Sequence, residues 1–443
     1  MIFKRYCEPK VISLGPINHD EEKYRLSEGY KLVLVDDFIK ESGHCGEELY
    51  EMVKKKINEL REYYDKEVTE KYSDEALAWI LFVDGCATLQ FIHKVVGKKE
   101  TKFKIKQDHV AFVKQELFFL ENQLPYQLLD NLMEKSNEQQ NLISSILRFI
   151  NSESKLEHDD DEHNCEKLKE MATNGKVIHL LDLLRKRLLT DNTPKSPKKV
   201  TGQSSEHTCP QNDQSAEKEE HSFHNAQEHK KGEKKTNVCN SCGEICKKNR
   251  RNSIKDPHKF RNVQELKAVG ILLKCNNSTC LGEIRFTKKG IGYPGILWLP
   301  PITIDDSTGP EFFNLIAYEM CPDFENNFGV TSYIVFLDSL IDKAKDVMDL
   351  RKAGILRNHL GSDEEVAKLF NEISTDLVDN FKIYKDVRSN IRAYYNKKWK
   401  TWISEGLHAH FSSPWTVIAF LAALFAVLAT GVQTVYSILS YYK

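Results

Sequence analysis

The sequence predicts a mainly α-helical protein: a helical head with a small antiparallel β element, followed by one C-terminal transmembrane helix. Three observations lead to this class. Apolar residues recur at steps of three and four, most clearly from Tyr333 to Met348, which is the period of an amphipathic helix. Short apolar runs separated by turn signals lie between residues 271 and 299. The closing run from Trp415 to Val432 has no charge and approaches the ~20 apolar residues that a spanning helix needs.

Composition and charge limit the possible partners and compartments. The 443 residues carry a formal net charge of −2, so no overall field attracts nucleic acid, and no nucleic-acid partner is expected. The 11 cysteines show no obvious pairing pattern, which favours a reducing compartment over a disulfide scaffold. The start, Met1 to Pro9, lacks the apolar stretch of a secretory signal peptide. We therefore expect a cytosolic head on the plasma membrane or an endomembrane.

Composition divides the chain into five parts. Residues 1–189 form the N-terminal part of the helical head, and residues 259–396 form its C-terminal part with the small sheet. Residues 190–258 between them are rich in proline, serine, lysine and glutamate. Such a segment buries too little apolar surface to offset its ordering entropy, so we predict a disordered insert. Residues 397–413 connect the head to the transmembrane helix at 414–440.

The N-terminal part of the head begins with two predicted helices, and helical periodicity returns at 142–150 and 177–188. Helical spacing of apolar residues predicts one from about Lys31 to Lys66. The run 75–86 is apolar nearly all round, which indicates a helix in the interior. Asp84 and Cys86 in this run are either part of a reactive site or a helix-end carboxylate and a small buried thiol. We favour the structural interpretation because no histidine nearby in sequence could serve the thiol as a base.

A polar trio interrupts the next apolar run. Glu121, Asn122 and Gln123 stand just before Pro125, and the residue before a proline avoids the helical conformation. We predict that the helix breaks here and that the trio bonds the freed backbone groups. A catalytic role for Glu121 is the alternative.

The C-terminal part begins with strand-like runs at 271–275, 283–286 and 296–299, which could form a small antiparallel sheet. Asp305 and Asp306 then precede an apolar helix. They could be paired acids or metal ligands, but carboxylates before a helix commonly cap its backbone amides and complement its dipole. We therefore interpret both as helix-capping residues.

Helix signals continue towards the closing run. The amphipathic helix from Tyr333 is expected to end near Gly354, a residue suited to a left-handed C-terminal cap. Ser362 and Glu365 then have the spacing of a capping box at the start of another helix.

Cysteines around the insert form the best metal-like pattern. Cys239 and Cys242 have CxxC spacing, Cys275 and Cys280 follow, and Cys246 and His258 lie between them. These thiolates and the imidazole would suffice for a tetrahedral zinc site. The spacing is loose, and a lone CxxC in a polar segment is often incidental. We assign no metal or cofactor residues and keep a zinc-binding adaptor as an alternative.

The closing run has the flanks of a membrane anchor. Lysines and tryptophans precede it and tyrosines end it, which resembles two aromatic interface belts with positive charge on one side. Ala422, Ala426 and Thr430 recur four apart and could let a partner helix approach closely, which leaves a homo-oligomer open. The flanking residues are Lys397, Lys398, Trp399, Lys400, Trp402, Trp415, Tyr436, Tyr441, Tyr442 and Lys443.

Motifs spread over most of the chain resemble the plant family known as domain of unknown function 247. The resemblance implies a plant protein with a C-terminal membrane segment and no established chemistry, and some members look like determinants of self-incompatibility in grasses. The matching motifs are PKVISLGP at 9–16, DGC at 84–86, LENQLP at 120–125, ITIDDST at 302–308, NLIAYE at 314–319, DSLID at 338–342, LGSDEEV at 360–366, PW at 414–415 and QT at 433–434.

These observations predict a membrane-anchored interaction or recognition protein with no catalytic residues. Its expected partners are the lipid bilayer, an unidentified protein and a second copy of the chain. The enzyme alternative would need conspicuous polar residues to converge on an open cleft. The candidates for that convergence are His19, Asp84, Glu121 and Asp305.

Overall fold

The computed structural model describes most of the head and the C-terminal helix. The described residues are 6–97, 107–156, 169–170, 172, 177–190, 262–396 and 414–441, with short gaps at 277, 291–292, 323, 325, 376 and 378–379. Nearly all of the predicted insert and the whole connection at 397–413 lie outside them.

The N-terminal part of the head is a group of helices packed around one buried helix. That helix, α5, contacts α1, α2, α7 and α8, and most of its residues are buried. Gly85 allows the close approach of α7, because a Cβ there would lie 2.7 Å from Leu132 Cδ1. The prediction of an interior helix around residues 75–86 is confirmed. The helices are α1 (Arg25–Ser42), α2 (Gly46–Lys55), α3 (Ile57–Arg61), α4 (Lys66–Thr69), α5 (Asp74–Val96), α6 (Gln107–Glu116), α7 (Tyr126–Lys135), α8 (Gln139–Glu153) and α9 (Leu180–Leu189), with 3₁₀ turns at Glu22–Tyr24 and Leu120–Asn122.

The prediction of one helical stretch from Lys31 to Lys66 is wrong in its continuity. Gly43 adopts a left-handed conformation with a φ of 76° and ends α1. A second break lies at Lys56, between α2 and α3. The apolar spacing continues across both breaks, because successive short helices bury their faces against the same core.

The C-terminal part of the head combines two small sheets with further helices. The first sheet holds β1 (Ile271–Cys275), β2 (Arg285–Lys288) and β3 (Gly295–Leu299), and the second holds β4 (Ile302–Ile304) and β5 (Leu356–Asn358). The helices are α10 (Val263–Ala268), α11 (Thr308–Glu319), α12 (Gly329–Asp338), α13 (Ala344–Lys352), α14 (Asp363–Ile373), α15 over 385–396 and α16 (Pro414–Tyr441). The mainly helical class is confirmed.

The predicted antiparallel pairing is wrong for half of the first sheet. Its strand order is β1-β3-β2, with β2 antiparallel to β3 and β1 parallel to β3. After β1 the chain crosses to the far edge of the sheet, forms β2 there, and turns back into β3 between them. Strand β3 therefore runs antiparallel to β2 and in the same direction as β1. The second sheet pairs β4 with β5 in parallel. Alternation of apolar residues identifies strands but does not identify their partners.

The predicted helix from Tyr333 to Met348 is two helices, α12 and α13. They are interrupted at residues 339–343, where the Asp346 carboxylate accepts hydrogen bonds from the backbone N–H groups of Asp342 and Lys343. A capping carboxylate therefore starts a new helix inside an apolar pattern that spans both.

Two predicted helix boundaries are observed as expected or nearly so. Gly354 follows α13 in the left-handed conformation, with a φ of 70°. Ser362 caps α14, because its hydroxyl accepts from the Glu365 N–H at 3.2 Å. The Glu365 carboxylate accepts from the Gly361 N–H instead of the Ser362 N–H, so only one half of the predicted capping box has its usual geometry.

Helix α5 and helix α16 differ in their surroundings. Among the described residues, α5 is the helix long and apolar enough to cross a bilayer, and 83% of its most apolar window is buried in the protein. We therefore assign α5 to the core. Helix α16 contains the shorter apolar stretch Leu421–Thr434, and the side chains of that stretch are exposed.

Candidate functional site

The PKVISLGP motif at residues 9–16, which we call the N-terminal segment, is held by side chains from distant parts of the chain. The Glu116 carboxylate accepts from the N–H groups of Lys10 at 2.7 Å and Ile12 at 2.8 Å, and from Val11 between them. Asn122 Oδ1 accepts from the Leu14 N–H at 2.7 Å. These bonds replace the ladder that a strand would normally provide for this backbone.

Asp84 connects the N-terminal segment to a buried ion pair. One carboxylate oxygen accepts from the Gly15 N–H at 2.7 Å, and the other lies 2.6 Å from Lys31 Nζ. Lys31 Nζ also lies 2.7 Å from a Glu28 carboxylate oxygen. Burial alone would lower the pKa of Lys31, but the charges of Asp84 and Glu28 outweigh it and raise the pKa. Lys31 therefore stays protonated at neutral pH and stabilises the buried carboxylate.

Asp84 thus has the structural role that we favoured, but the predicted position at a helix end is wrong. It lies in the middle of α5, facing the N-terminal segment. Cys86 on the same helix is fully buried, and burial raises the pKa of its thiol well above the ordinary value. A thiol held protonated is a poor nucleophile.

The polar trio before Pro125 bonds backbone groups, as predicted, through two of its members. Asn122 Nδ2 donates to the carbonyls of Ile12 and Glu116 at 3.2 and 3.0 Å. Gln123 Nε2 donates to the carbonyls of Leu117 and Phe119, both at 2.8 Å. For Glu121, the backbone carbonyl accepts from Asn18 Nδ2 at 3.5 Å.

Asp305 caps the turn before α11, as predicted. Its Oδ1 accepts from the N–H of Ser307 at 3.0 Å and from the hydroxyl of Thr308 at 3.1 Å, while Oδ2 lies 2.9 Å from Lys155 Nζ. Burial acts to raise the pKa of Asp305, but Lys155 and these hydrogen bonds outweigh it and lower the pKa. For Asp306, the structure gives no corresponding capping bond among its described contacts.

Two further polar clamps were not predicted. The fully buried Glu319 accepts from Arg185 Nε at 2.8 Å and from the N–H of Thr331 at 2.8 Å, at the start of α12. Asn314 Oδ1 accepts from the Leu120 N–H at 2.8 Å, and its Nδ2 donates to the Tyr6 carbonyl at 2.9 Å. A polar residue on an otherwise apolar helix was the available signal for both.

The residues required by the enzyme alternative have separate partners. Asp84 bonds the N-terminal segment and Lys31, whereas Asp305 bonds Lys155 and its own turn. His19 packs edge-on against Tyr72. The contacts of Asp84 and Asp305 therefore hold backbone segments in place.

A cavity of about 180 Å³ lies beside the N-terminal segment. Its walls come from residues 10–12, α1, α5, α6 and Leu117, and they are mostly apolar, with Leu34, Phe91 and Val113 among them. Lys10, Lys23 and His109 also contribute to the lining. This cavity is the candidate ligand site among the described residues.

No group of three histidine, cysteine, aspartate or glutamate side chains is arranged for a metal ion within the described ranges. Cys280 is buried, and the Cys275 thiol donates to the Asn276 carbonyl at 3.1 Å. Cys239 and Cys242 lie outside the described residues, as do Cys246 and His258, so the zinc site stays a prediction.

Comparisons with known proteins give a consistent result over nearly the whole chain. The UPF0481 protein At3g47200 of Arabidopsis thaliana is 27% identical over 449 aligned residues, which cover 98% of this chain and 83% of that protein. The putative UPF0481 protein At3g02645 of Arabidopsis thaliana is 29% identical over 140 residues, 31% of this chain and 26% of that protein. No solved structure matches. The family model described as a plant protein of unknown function, DUF247, matches residues 2–429, so the chain belongs to the DUF247 family.

Proposed function

We propose that this protein is a non-catalytic interaction protein, anchored by α16 in a membrane, whose cytosolic head binds a protein partner in recognition or signalling. Self-incompatibility is the process that the resemblance described above suggests. The observation that carries the proposal is the exposed apolar surface of α16. Leu421, Phe425 and Leu428 are 55%, 73% and 61% exposed, and Val427 is 70% exposed. Leu421, Phe425 and Leu428 lie on one side of the helix and Val427 on another, and every residue from 421 to 434 is exposed. Burial of one face would therefore leave apolar side chains of the other faces in water.

The dimensions and polar groups of α16 also support a lipid environment. Its 28 residues correspond to about 42 Å at 1.5 Å per residue, which exceeds the ~30 Å of the hydrocarbon core. The Thr430 hydroxyl donates to the Ala426 carbonyl at 2.7 Å, and the Thr434 hydroxyl donates to the Thr430 carbonyl at 2.7 Å. Both hydroxyls are thus satisfied within the helix, as lipid requires.

The non-catalytic part of the proposal is supported by the use of the buried polar groups. Asp84, Glu116, Asn122 and Glu319 all accept hydrogen bonds from backbone N–H groups. A general acid or base must lie within hydrogen-bond reach of a substrate proton, and these side chains are turned towards the backbone of their own chain.

Membrane extraction tests the anchor. We expect the full-length protein to sediment with membranes and to resist alkaline carbonate. The double variant Leu424→Arg, Leu428→Arg should be released, because each arginine near the centre of the span costs about 3 kcal/mol. Leu32→Arg, at an exposed leucine of α1, is the matched control and should stay in the membrane fraction. Wild-type protein in the carbonate supernatant would refute the anchor.

Two further measurements test orientation and partner binding. Protease added to sealed vesicles should digest the head, and a protected head would contradict the cytosolic orientation. Proximity labelling from full-length protein should identify neighbours that are absent when only residues 397–443 carry the label. Identical neighbours in both samples would show that the anchor, and not the head, determines the surroundings.

The small-residue positions of α16 supply the proposal of a homo-oligomer. Ala422, Ala426 and Thr430 lie on one side of the helix and would allow two copies to pack closely. We expect Ala426→Leu to reduce cross-linking of full-length protein in membranes, with Leu424→Phe, on the opposite side of the helix, as the control.

A further inference from the structure

We propose that the cavity beside the N-terminal segment binds a small carboxylate with a compact apolar body, such as an aromatic or branched aliphatic acid. The proposal is independent of the membrane anchor and of the protein partner. It rests on the size of the cavity, on the charges of its lining residues and on the way in which its walls are fixed.

The volume limits the ligand to a small molecule. A cavity of about 150 Å³ with apolar walls accommodates benzene, so about 180 Å³ suits a ligand of roughly ten non-hydrogen atoms. Leu34, Ala87, Phe91 and Val113 supply apolar wall, which favours a hydrocarbon ring or branch over a sugar. Leu26, at the rim, is 70% exposed, so part of the lining faces solvent.

The charge of the lining favours an anionic group. Lys10, Lys23 and Lys31 are the lysines among the lining residues, His109 is the one histidine, and the lining contains no aspartate or glutamate. Lys31 is neutralised by Asp84 and Glu28, and Lys23 lies 2.7 Å from Glu8 and 2.9 Å from Glu21.

Lys10 is the cation that we assign to the ligand. Its side chain is exposed, and in the described part of the chain it has no carboxylate within ion-pair distance of the kind that Lys23 and Lys31 have. Its charge acts on the Glu116 carboxylate, which is already bonded to three backbone N–H groups. One such cation at the mouth of an apolar cavity complements a molecule with one negative charge and an apolar body.

The N-terminal segment makes a carboxylate a better candidate than a phosphate. The backbone N–H groups of Lys10, Val11 and Ile12 are already bonded to Glu116, so this edge of the cavity offers no array of free amides. Phosphate sites commonly use several such donors. The same bonds hold the wall in place before a ligand arrives, which lowers the ordering cost of binding.

Binding of defined probes to full-length protein tests the proposal, in lipid nanodiscs if the protein sediments with membranes and in buffer if it does not. We expect phenylacetate to bind saturably in ligand-observed NMR, with a Kd of about 1 mM or tighter. Phenylacetamide, its neutral analogue, should bind at least about fivefold more weakly, because it lacks the charge that Lys10 would pair. Empty nanodiscs correct for partition of each probe into lipid.

Variants separate this site from non-specific anion binding. Lys10→Met should weaken phenylacetate about five- to tenfold and leave phenylacetamide unchanged. Lys66→Met, at an exposed lysine on α4, is the matched control and should alter neither. Ala87→Leu should remove binding of both probes by filling the cavity.

Three outcomes would overturn the proposal. The first is no saturable phenylacetate binding up to 10 mM, which is about tenfold above the expected Kd. The second is equal binding of acid and amide that is unaffected by Lys10→Met. The third is displacement of phenylacetate by an equal concentration of inorganic phosphate, which would show that Lys10 attracts anions without help from the cavity.

Discussion

The ionisation of Glu311 should make the stability of the head depend on pH. This glutamate lies in the first turns of α11, buried, and its Oε1 has no hydrogen-bond partner among the described residues. Burial raises the pKa of the Glu311 carboxyl from 4.5 to about 8, while Lys155 opposes the rise and the charges of Glu153 and Asp305 add to it. At neutral pH the folded protein therefore keeps a proton that the unfolded chain has lost.

The sign and size of the effect follow from this difference. Between pH 4.5 and about 8 the folded state binds more protons than the unfolded state, so stability falls as pH rises through this range. A shift from 4.5 to about 8 corresponds to at most about 5 kcal/mol, at 1.36 kcal/mol for each pKa unit. Above about pH 8 the carboxyl is ionised in both states, and the slope from this group ends.

The variant Glu311→Gln removes the ionisation and keeps the shape of the side chain. We subtract the free energy of unfolding of Glu311→Gln from that of the wild type at each pH. We expect this difference to fall by about 3–5 kcal/mol between pH 4.5 and pH 8. Urea denaturation of full-length protein in detergent, followed by tryptophan fluorescence, measures this difference. The subtraction removes the contributions that the other titrating groups make to the pH dependence of both proteins.

Glu364→Gln is the matched control, since this carboxylate is exposed on α14. A fall of the same size in the comparison of wild type with Glu364→Gln would show that the effect does not belong to Glu311. Parallel profiles for Glu311→Gln and wild type would refute the reasoning, because they would show that Glu311 ionises alike in both states.

Three further variants test the polar clamps and the packing of α5, each by urea denaturation. Lys31→Met should lower the free energy of unfolding by about 3–5 kcal/mol, because it leaves a buried charge without its partner. Adding Asp84→Asn should recover at least about 1 kcal/mol, and strict additivity of the two changes would contradict the ion pair. Glu116→Gln should cost about 2 kcal/mol, because an amide N–H₂ would face a backbone donor, and should speed tryptic cleavage within the N-terminal segment; unchanged cleavage would contradict the clamp. Gly85→Val should lower the free energy of unfolding by about 2–3 kcal/mol, since a Cβ there would lie 2.7 Å from a leucine methyl of α7. Gly29→Val is the control, because Gly29 has open space around it, and it should cost about 1 kcal/mol or less. Equal costs would contradict the close approach of α5 and α7.

Periodicity in the sequence predicted helices well because a helix that buries one face has apolar residues at steps of three and four along the chain. It did not predict where helices break, because the residues on both sides of a break pack on the same core. Gly43 was a visible signal for one break, since glycine is the residue that most readily takes a left-handed conformation. The break before α13 depends on Asp346, a common helix-starting carboxylate that occurs in many helices without ending the previous one.

Pairing over long sequence distances left little trace in the sequence. The parallel pairing of β1 with β3 depends on the path of the chain through β2, and apolar alternation is the same for either direction. Glu116 bonds backbone about a hundred residues earlier, and no local pattern identifies such a partner. A glutamate directly before the run Leu117–Leu120 was the one signal of a buried carboxylate. Asp84 was recognised as unusual because its neighbours are apolar on both sides.

The position of the motif residues affects what a partner of the head could recognise. Asp84, Asn122, Asn314 and Glu319 of the motifs, and Glu116 outside them, are each at most 1% exposed. A protein that docks on the head therefore cannot contact these side chains without unfolding it, so these buried residues specify the fold and not the partner. The proposed partner would contact exposed residues, which the motifs supply at positions such as Lys10 and Glu364, and large apolar side chains on the surface contribute most to such binding. Trp79, which is 51% exposed on α5, is the first residue to test by this reasoning.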